Sequence, residues 1–127
     1  MLNYKIVSIA SAILTSILFL SLLLMPDLIF WIFSIETTEA ANFIARRASI
    51  LFLGLAILSF LSRNTPHSSL RQNIILAMFV LWSLMALLGL FELVRGFAGL
   101  GILLAITAEI IFAISYFLIF RKHSNRD

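Results

Sequence analysis

Polar and apolar positions along the chain separate into four long apolar runs joined by short polar connections. A hydrocarbon core of about 30 Å takes about 20 helical residues to cross. The runs meet that length: Ile6 to Met25, about Phe43 to Leu61, about Ile74 to Val94, and about Phe97 to Phe120 (spans 6-25, 43-61, 74-94 and 97-120). The pattern predicts an all-α integral membrane four-helix bundle, antiparallel up-down-up-down, in one transmembrane domain over residues 1-127. The first run follows a lone Lys5 and ends at Pro26 and Asp27. No small-x-small cleavage pattern follows it, so it is expected as a retained span and not a signal peptide.

Each connection carries its own signals. PDLIFWIFSIETTEAAN, Pro26 to Asn42, combines Phe30, Trp31 and Phe33 with Glu36 and Glu39, a composition suited to a short interfacial segment between the first two spans. Thr37 or Thr38 can cap the second helix, with Glu39 favourably placed in its first turn. In SRNTPHSSLRQN, Pro66 stops a helix, and Ser69 with Gln72 three residues on forms a capping box for the third. The short RGFAGLG connection demands a tight final hairpin.

Composition strengthens the membrane assignment. The chain is 62% hydrophobic and 12% charged, too little polar surface to cover a soluble globule, and its mean hydropathy is +1.12. There is no cysteine, hence no disulfide or thiol chemistry, and only two histidines, His67 and His123, both in polar stretches. No metal site and no cofactor is expected, and no nucleic-acid partner.

Charge sets an orientation. Lys5, Arg63, Arg71, Arg121, Lys122 and Arg126 lie at one side, against Arg46, Arg47 and Arg95 at the other, where Asp27, Glu36, Glu39 and Glu92 offset them. Positively charged loops are retained in the cytoplasm, so both termini are expected there, with the protein in a bacterial inner membrane. The basic RKHSNR tail then meets anionic headgroups of the lipid bilayer as a topogenic anchor.

The chemistry concentrates in one place. LLAITAEIIFAIS, Leu103 to Ser115, carries a single carboxyl group, Glu109. At 100° per residue Gly101, Ala105, Glu109 and Ala113 share one side of the last helix, with Ala108, Phe112 and Tyr116 beside them. That is the small-xxx-small pattern of a close helix contact, and it suggests self-association or attachment to another membrane protein. The second span has a small face of Ala45, Ser49, Ala56 and Ser59, and the first has Ser8, Ser11, Ala12 and Thr15. Their hydroxyls could serve a carboxyl group or bond their own backbone.

Counting a rise of about 1.5 Å per residue from Arg63 and Arg121, Glu109 lies roughly 18 Å and Arg46 roughly 25 Å from the cytoplasmic boundary. Two arrangements follow: Arg46, angularly nearer the small face than Arg47, reaches in to Glu109, or it snorkels outward to Glu39 or Glu92, near which Arg95 also lies. An unpaired carboxylate at the bilayer centre costs roughly 3 kcal/mol or more.

The first span closing on a proline, the aromatic loop, ARRAS (Ala45 to Ser49) entering the second span with Gly54 further along, the polar turn and the tight final hairpin together resemble short four-helix bacterial membrane proteins grouped near the DoxX-like family. The resemblance covers most of the chain and implies a four-helix bundle without an established activity. Arg46 is the position it matches, and it carries over no catalytic residue. ILLAITAEI is similar to the glutamate-bearing segment of small multidrug exporters, but there it lies in the first helix and here in the last. ARRASILFLG lacks the asparagine and glutamate of membrane-bound glutathione-using enzymes.

Enzymatic chemistry needs several converging polar groups, and the spans offer no histidine to activate a serine and no Gly-rich phosphate loop, so no catalytic residue is expected. Met25, Met78, Met85 and Trp82 read as packing and lipid contact. Two functions remain: a non-catalytic membrane module, self-associating or a small subunit of a larger complex, and a small proton-coupled transporter or permeability factor in which Glu109 titrates. Reporter fusions test the orientation. Fusions after Arg63 and at the C-terminus should report cytoplasm and fusions after Glu39 or Arg95 the opposite side; a C-terminus outside would remove one span.

Overall fold

The computed structural model describes residues 2–124; Arg126, counted above with the basic tail, lies outside them, as does the side chain of His123. The described residues form five helices: α1 Tyr4–Leu24, α2 Pro26–Ile32, α3 Glu39–Ser62, α4 Ser69–Val94 and α5 Ile102–Ser124. Four are long and apolar enough to cross a membrane, and α2 is the short exception. The protein is a small multi-pass membrane protein with an all-helical, four-helix-bundle fold.

Local chemistry explains the boundaries. Asn3 caps α1, its side-chain oxygen accepting the Ile6 N–H at 2.9 Å. α1 closes where Met25 N–H bonds Ser21 O at 2.8 Å, and Pro26 then opens α2, needing no N–H there. The connection expected as an interfacial segment thus contains a helix of its own, with Trp31 77% exposed on it. Of the two threonines, Thr38 caps α3, accepting from Ala41 N–H at 3.0 Å, with Glu39 in the first turn.

Two boundaries differ from expectation. The cap of α4 is Ser68, not Ser69: its hydroxyl accepts from Arg71 N–H at 3.2 Å, and Gln72 N–H bonds the Ser68 carbonyl. The serine pair is equivalent in sequence, and only the extended backbone at Ser68 turns its oxygen onto the first free N–H groups. The last long helix begins at Ile102 and not at Phe97. Gly96 takes a left-handed φ of 83°, its N–H bonds Leu93 O, and Phe97 N–H bonds Glu92 O, a Schellman closure that ends α4 and sends the chain away from its axis.

α1 packs along α3 and α4 along α5, and the two pairs meet chiefly through α1 and α5. Close approach of α1 and α3 is made by small residues on both: Ser8, Ser11, Ala12 and Thr15 against Ala45, Ser49, Ala56 and Ser59, all buried. The main core unites α1, α4 and α5 through Tyr4, Val7, Ile75, Met78, Trp82, Tyr116 and Ile119. Most other large apolar side chains point outward, as a lipid-facing surface requires.

α2 is seated by backbone contact with the α4–α5 turn. Gly99 N–H donates to Phe33 O at 2.7 Å, and an ideal Cβ on Gly99 would stand 2.7 Å from the Ser34 Cβ. Gly101 lies so close to the Ile32 carbonyl oxygen that a side chain there would collide with backbone. Gly101→Ala should therefore lower stability by roughly 1–3 kcal/mol, the usual cost of overpacking, read as a thermal-unfolding shift in detergent. Gly54, with open space around it, is the control and should tolerate alanine.

Candidate functional site

The half of the bundle nearer the two chain ends is knitted by hydroxyls. Tyr4 Oη donates to Ser62 Oγ at 2.9 Å, Ser59 Oγ to Ser11 Oγ at 3.4 Å, and the Tyr116 hydroxyl lies against Ser11 and Ser59. These residues come from α1, α3 and α5, so the seam ties the two helix pairs together. Thr15 Oγ1 bonds Ser11 O at 2.7 Å and Ser49 Oγ bonds Arg46 O at 2.5 Å, spending their hydroxyls on their own helices. Among the described residues no serine or threonine hydroxyl bonds Glu109, the service considered for them from sequence.

The opposite half holds a part-open cavity of about 350 Å³. Leu14, Leu18 and Leu22 of α1 form one wall, and Leu104, Ala105 and Ala108 of α5 another, with Ile29, Ile32 and Phe33 of the α2 region as cover. Phe52, Trp82 and Glu109 also line it. Glu109 is 8% exposed, and its Oε2 has no hydrogen-bond partner. Trp82 is 1% exposed, stacked on Phe112 with ring centroids 5.1 Å apart, and its indole N–H is likewise buried without a partner. A buried polar group left unpaired costs about 1–3 kcal/mol, so these two residues carry a local cost in this half of the bundle.

The sequence-named residues fall as follows. Arg46 and Arg47 are both exposed; the Arg47 guanidinium stands 5.9 Å from the Phe43 ring, and among the described residues neither arginine forms an ion pair with Glu109. Glu39 is exposed. Arg95 pairs with Glu92 on the next turn, through Nε at 3.0 Å and Nη2 at 2.5 Å, and packs on Phe97. Gly101 is occupied by α2, Ala105 and Ala108 face the cavity, and Ala113 is in the main core. Of the face read as a surface for self-association, Gly101 and Ala113 are thus packed within the chain, and Ala105 and Ala108 are half-buried beside the cavity.

Sequence reasoning passed over Trp82, taken as packing or lipid contact. Its N–H was the available signal, because a tryptophan within a span and away from the interface needs a hydrogen-bond partner. Among the described residues no cluster of three or more His, Asp or Glu could hold a metal ion. Comparison with family models, with curated proteins and with solved structures finds no match for this chain.

A stability cycle in detergent tests the separation of Arg46 from Glu109. Glu109→Gln and Arg46→Gln should add within about 0.5 kcal/mol, as distant sites do. A coupling above about 1 kcal/mol would put the guanidinium on the carboxyl group.

Proposed function

We propose that the protein is a small proton-coupled transporter or permeability factor of a bacterial inner membrane, with both termini cytoplasmic, no catalytic chemistry, and Glu109 as the group that takes up and releases the proton. One observation carries this reading: an intramembrane carboxyl group, without an ion-pair partner among the described residues, lines a largely apolar, part-open cavity. A glutamate serving only to pack helices would be expected to bond a neighbouring hydroxyl or arginine, since ionisable groups inside membranes are costly and mark functional pathways. The hydroxyl seam and the main core fill the other half of the bundle, so access to Glu109 alternates most readily through movement of the α2 cover.

The module or small-subunit reading has its own support in α4. Leu76, Val80, Leu84 and Leu88 line an exposed groove together with Asn73, whose amide would gain a partner from a neighbouring helix. Proton flux in liposomes separates the two. Glu109→Gln should cut flux by about tenfold or more, as loss of a proton-carrying group requires, while keeping the wild-type unfolding temperature. Flux equal to wild type would remove the transporter and leave the module.

A further inference from the structure

Arg46 and Arg47 are exposed, and among the described residues neither forms an ion pair, although both stand about two turns inside α3. From Arg63, at the other end of that helix, they lie roughly 24–25 Å away at a helical rise of about 1.5 Å per residue. A hydrocarbon core is about 30 Å thick, so both backbones fall about 5 Å short of its far boundary. Helical side chains lean toward the N-terminus, which for α3 is the direction of that boundary. An arginine side chain spans the shortfall, which brings both guanidiniums to the level of lipid phosphates in the leaflet away from the chain ends.

The two side chains flank one strip of the helix surface. At 100° per residue, Phe43, Ile50, Gly54 and Ile57 fall in the arc between the directions of Arg46 and Arg47, and all four are exposed. The Arg47 guanidinium stands 5.9 Å from the Phe43 ring, within that arc. Deeper in the membrane, Gly54 leaves a notch where an added Cβ would meet nothing within 4 Å. Glycine is a poor helix former, and no contact inside the chain calls for one there. Glu39, exposed at the start of α3, lies in the same arc, so two arginines and one glutamate leave the strip with one net positive charge.

Charge and shape together select the occupant. A second copy of the chain, inserted in the same orientation and packed here about a two-fold axis along the membrane normal, would bring four guanidiniums to one depth. A phospholipid has the complementary order: a phosphate that accepts bidentate bonds from guanidinium, and an acyl chain that lies along the apolar strip beneath it. We propose that this face of α3 is a binding site for an anionic phospholipid, its phosphate held between Arg46 and Arg47 and one acyl chain running over Ile50 and Gly54. Glu109 takes no part in this site, which therefore stands or falls apart from the transporter reading.

The probe is phosphatidylglycerol with a diazirine midway along one acyl chain, photolysed on the full chain in dodecyl maltoside micelles, with labelled peptides mapped by mass spectrometry. Label should concentrate on residues 50–57 of α3. Unlabelled phosphatidylglycerol should compete about tenfold better than phosphatidylcholine of the same chains, whose phosphate carries its own cation. The double variant Arg46→Gln with Arg47→Gln should cut that label about tenfold, while Arg63→Gln with Arg121→Gln, at the other end of the bundle, should leave it unchanged. Phosphatidylcholine competing as well as phosphatidylglycerol overturns the site, and so does glycerol phosphate, which would show that a free phosphate suffices. Label spread evenly over every exposed face, or label on 50–57 that persists in a folded double variant, overturns it too. Disulfide-linked dimers of Gly54→Cys in the same micelles would put a second copy on this face instead and remove the lipid. The competitor series needs only the wild-type protein, so it decides even if a variant fails to fold.

Discussion

The cavity exists because backbone meets backbone at one point, where the end of α2 rests on the turn before α5. The Gly99 N–H holds the Phe33 carbonyl, and Gly101 leaves room for the Ile32 carbonyl. A peptide group in hydrocarbon must be satisfied within the protein, so this bond is not readily exchanged for one to solvent. Without it α2 would lie free at the interface, and the space above Glu109 would open to headgroups and water. Burial of the carboxyl group, the apolar walls and the cover all follow from two glycines that allow the approach.

The bundle divides its polarity by depth. In the half nearer the chain ends, tyrosine and serine hydroxyls find one another, and the main core packs beside them. Toward the other side, the same helices turn leucine and alanine inward and stop short of filling the space. Dense packing below and a void above is an arrangement in which the seam maintains the fold while the cavity can change shape. Each long helix contributes to both, so the rigid half aligns the walls of the adaptable half.

Four spans were legible because a run of about 20 apolar residues has few other uses, and the α3 cap was legible as one of two adjacent threonines because a threonine before an acidic first turn is a strong cap, while the extended backbone at Thr38 made the choice. The start of α5 was not, since hydropathy is as high at Phe97 and Leu100 as within the helix, and the reversal is a backbone event at Gly96. Ser68 and Ser69 could not be told apart by residue type. The cavity was invisible for a deeper reason: in a helix apolar all round, periodicity does not say which leucines face lipid and which face a void. Glu109 and the small residues beside it could be placed on one side by spacing, but what occupied that side depended on α2, which read as interfacial sequence and not as a helix.

The pairing of helices also has an order in time. α1 and α3 are neighbours in space and emerge first from the ribosome, so Ser11 and Ser59 can face each other while α4 and α5 are still unmade. Until then the seam lacks its third member. Tyr116 sits on the last helix, and its hydroxyl reaches the two serines only when the second hairpin docks. The half-made protein consequently displays a short row of hydroxyls inside the bilayer, a polar edge that favours recapture of the following hairpin over its escape into lipid.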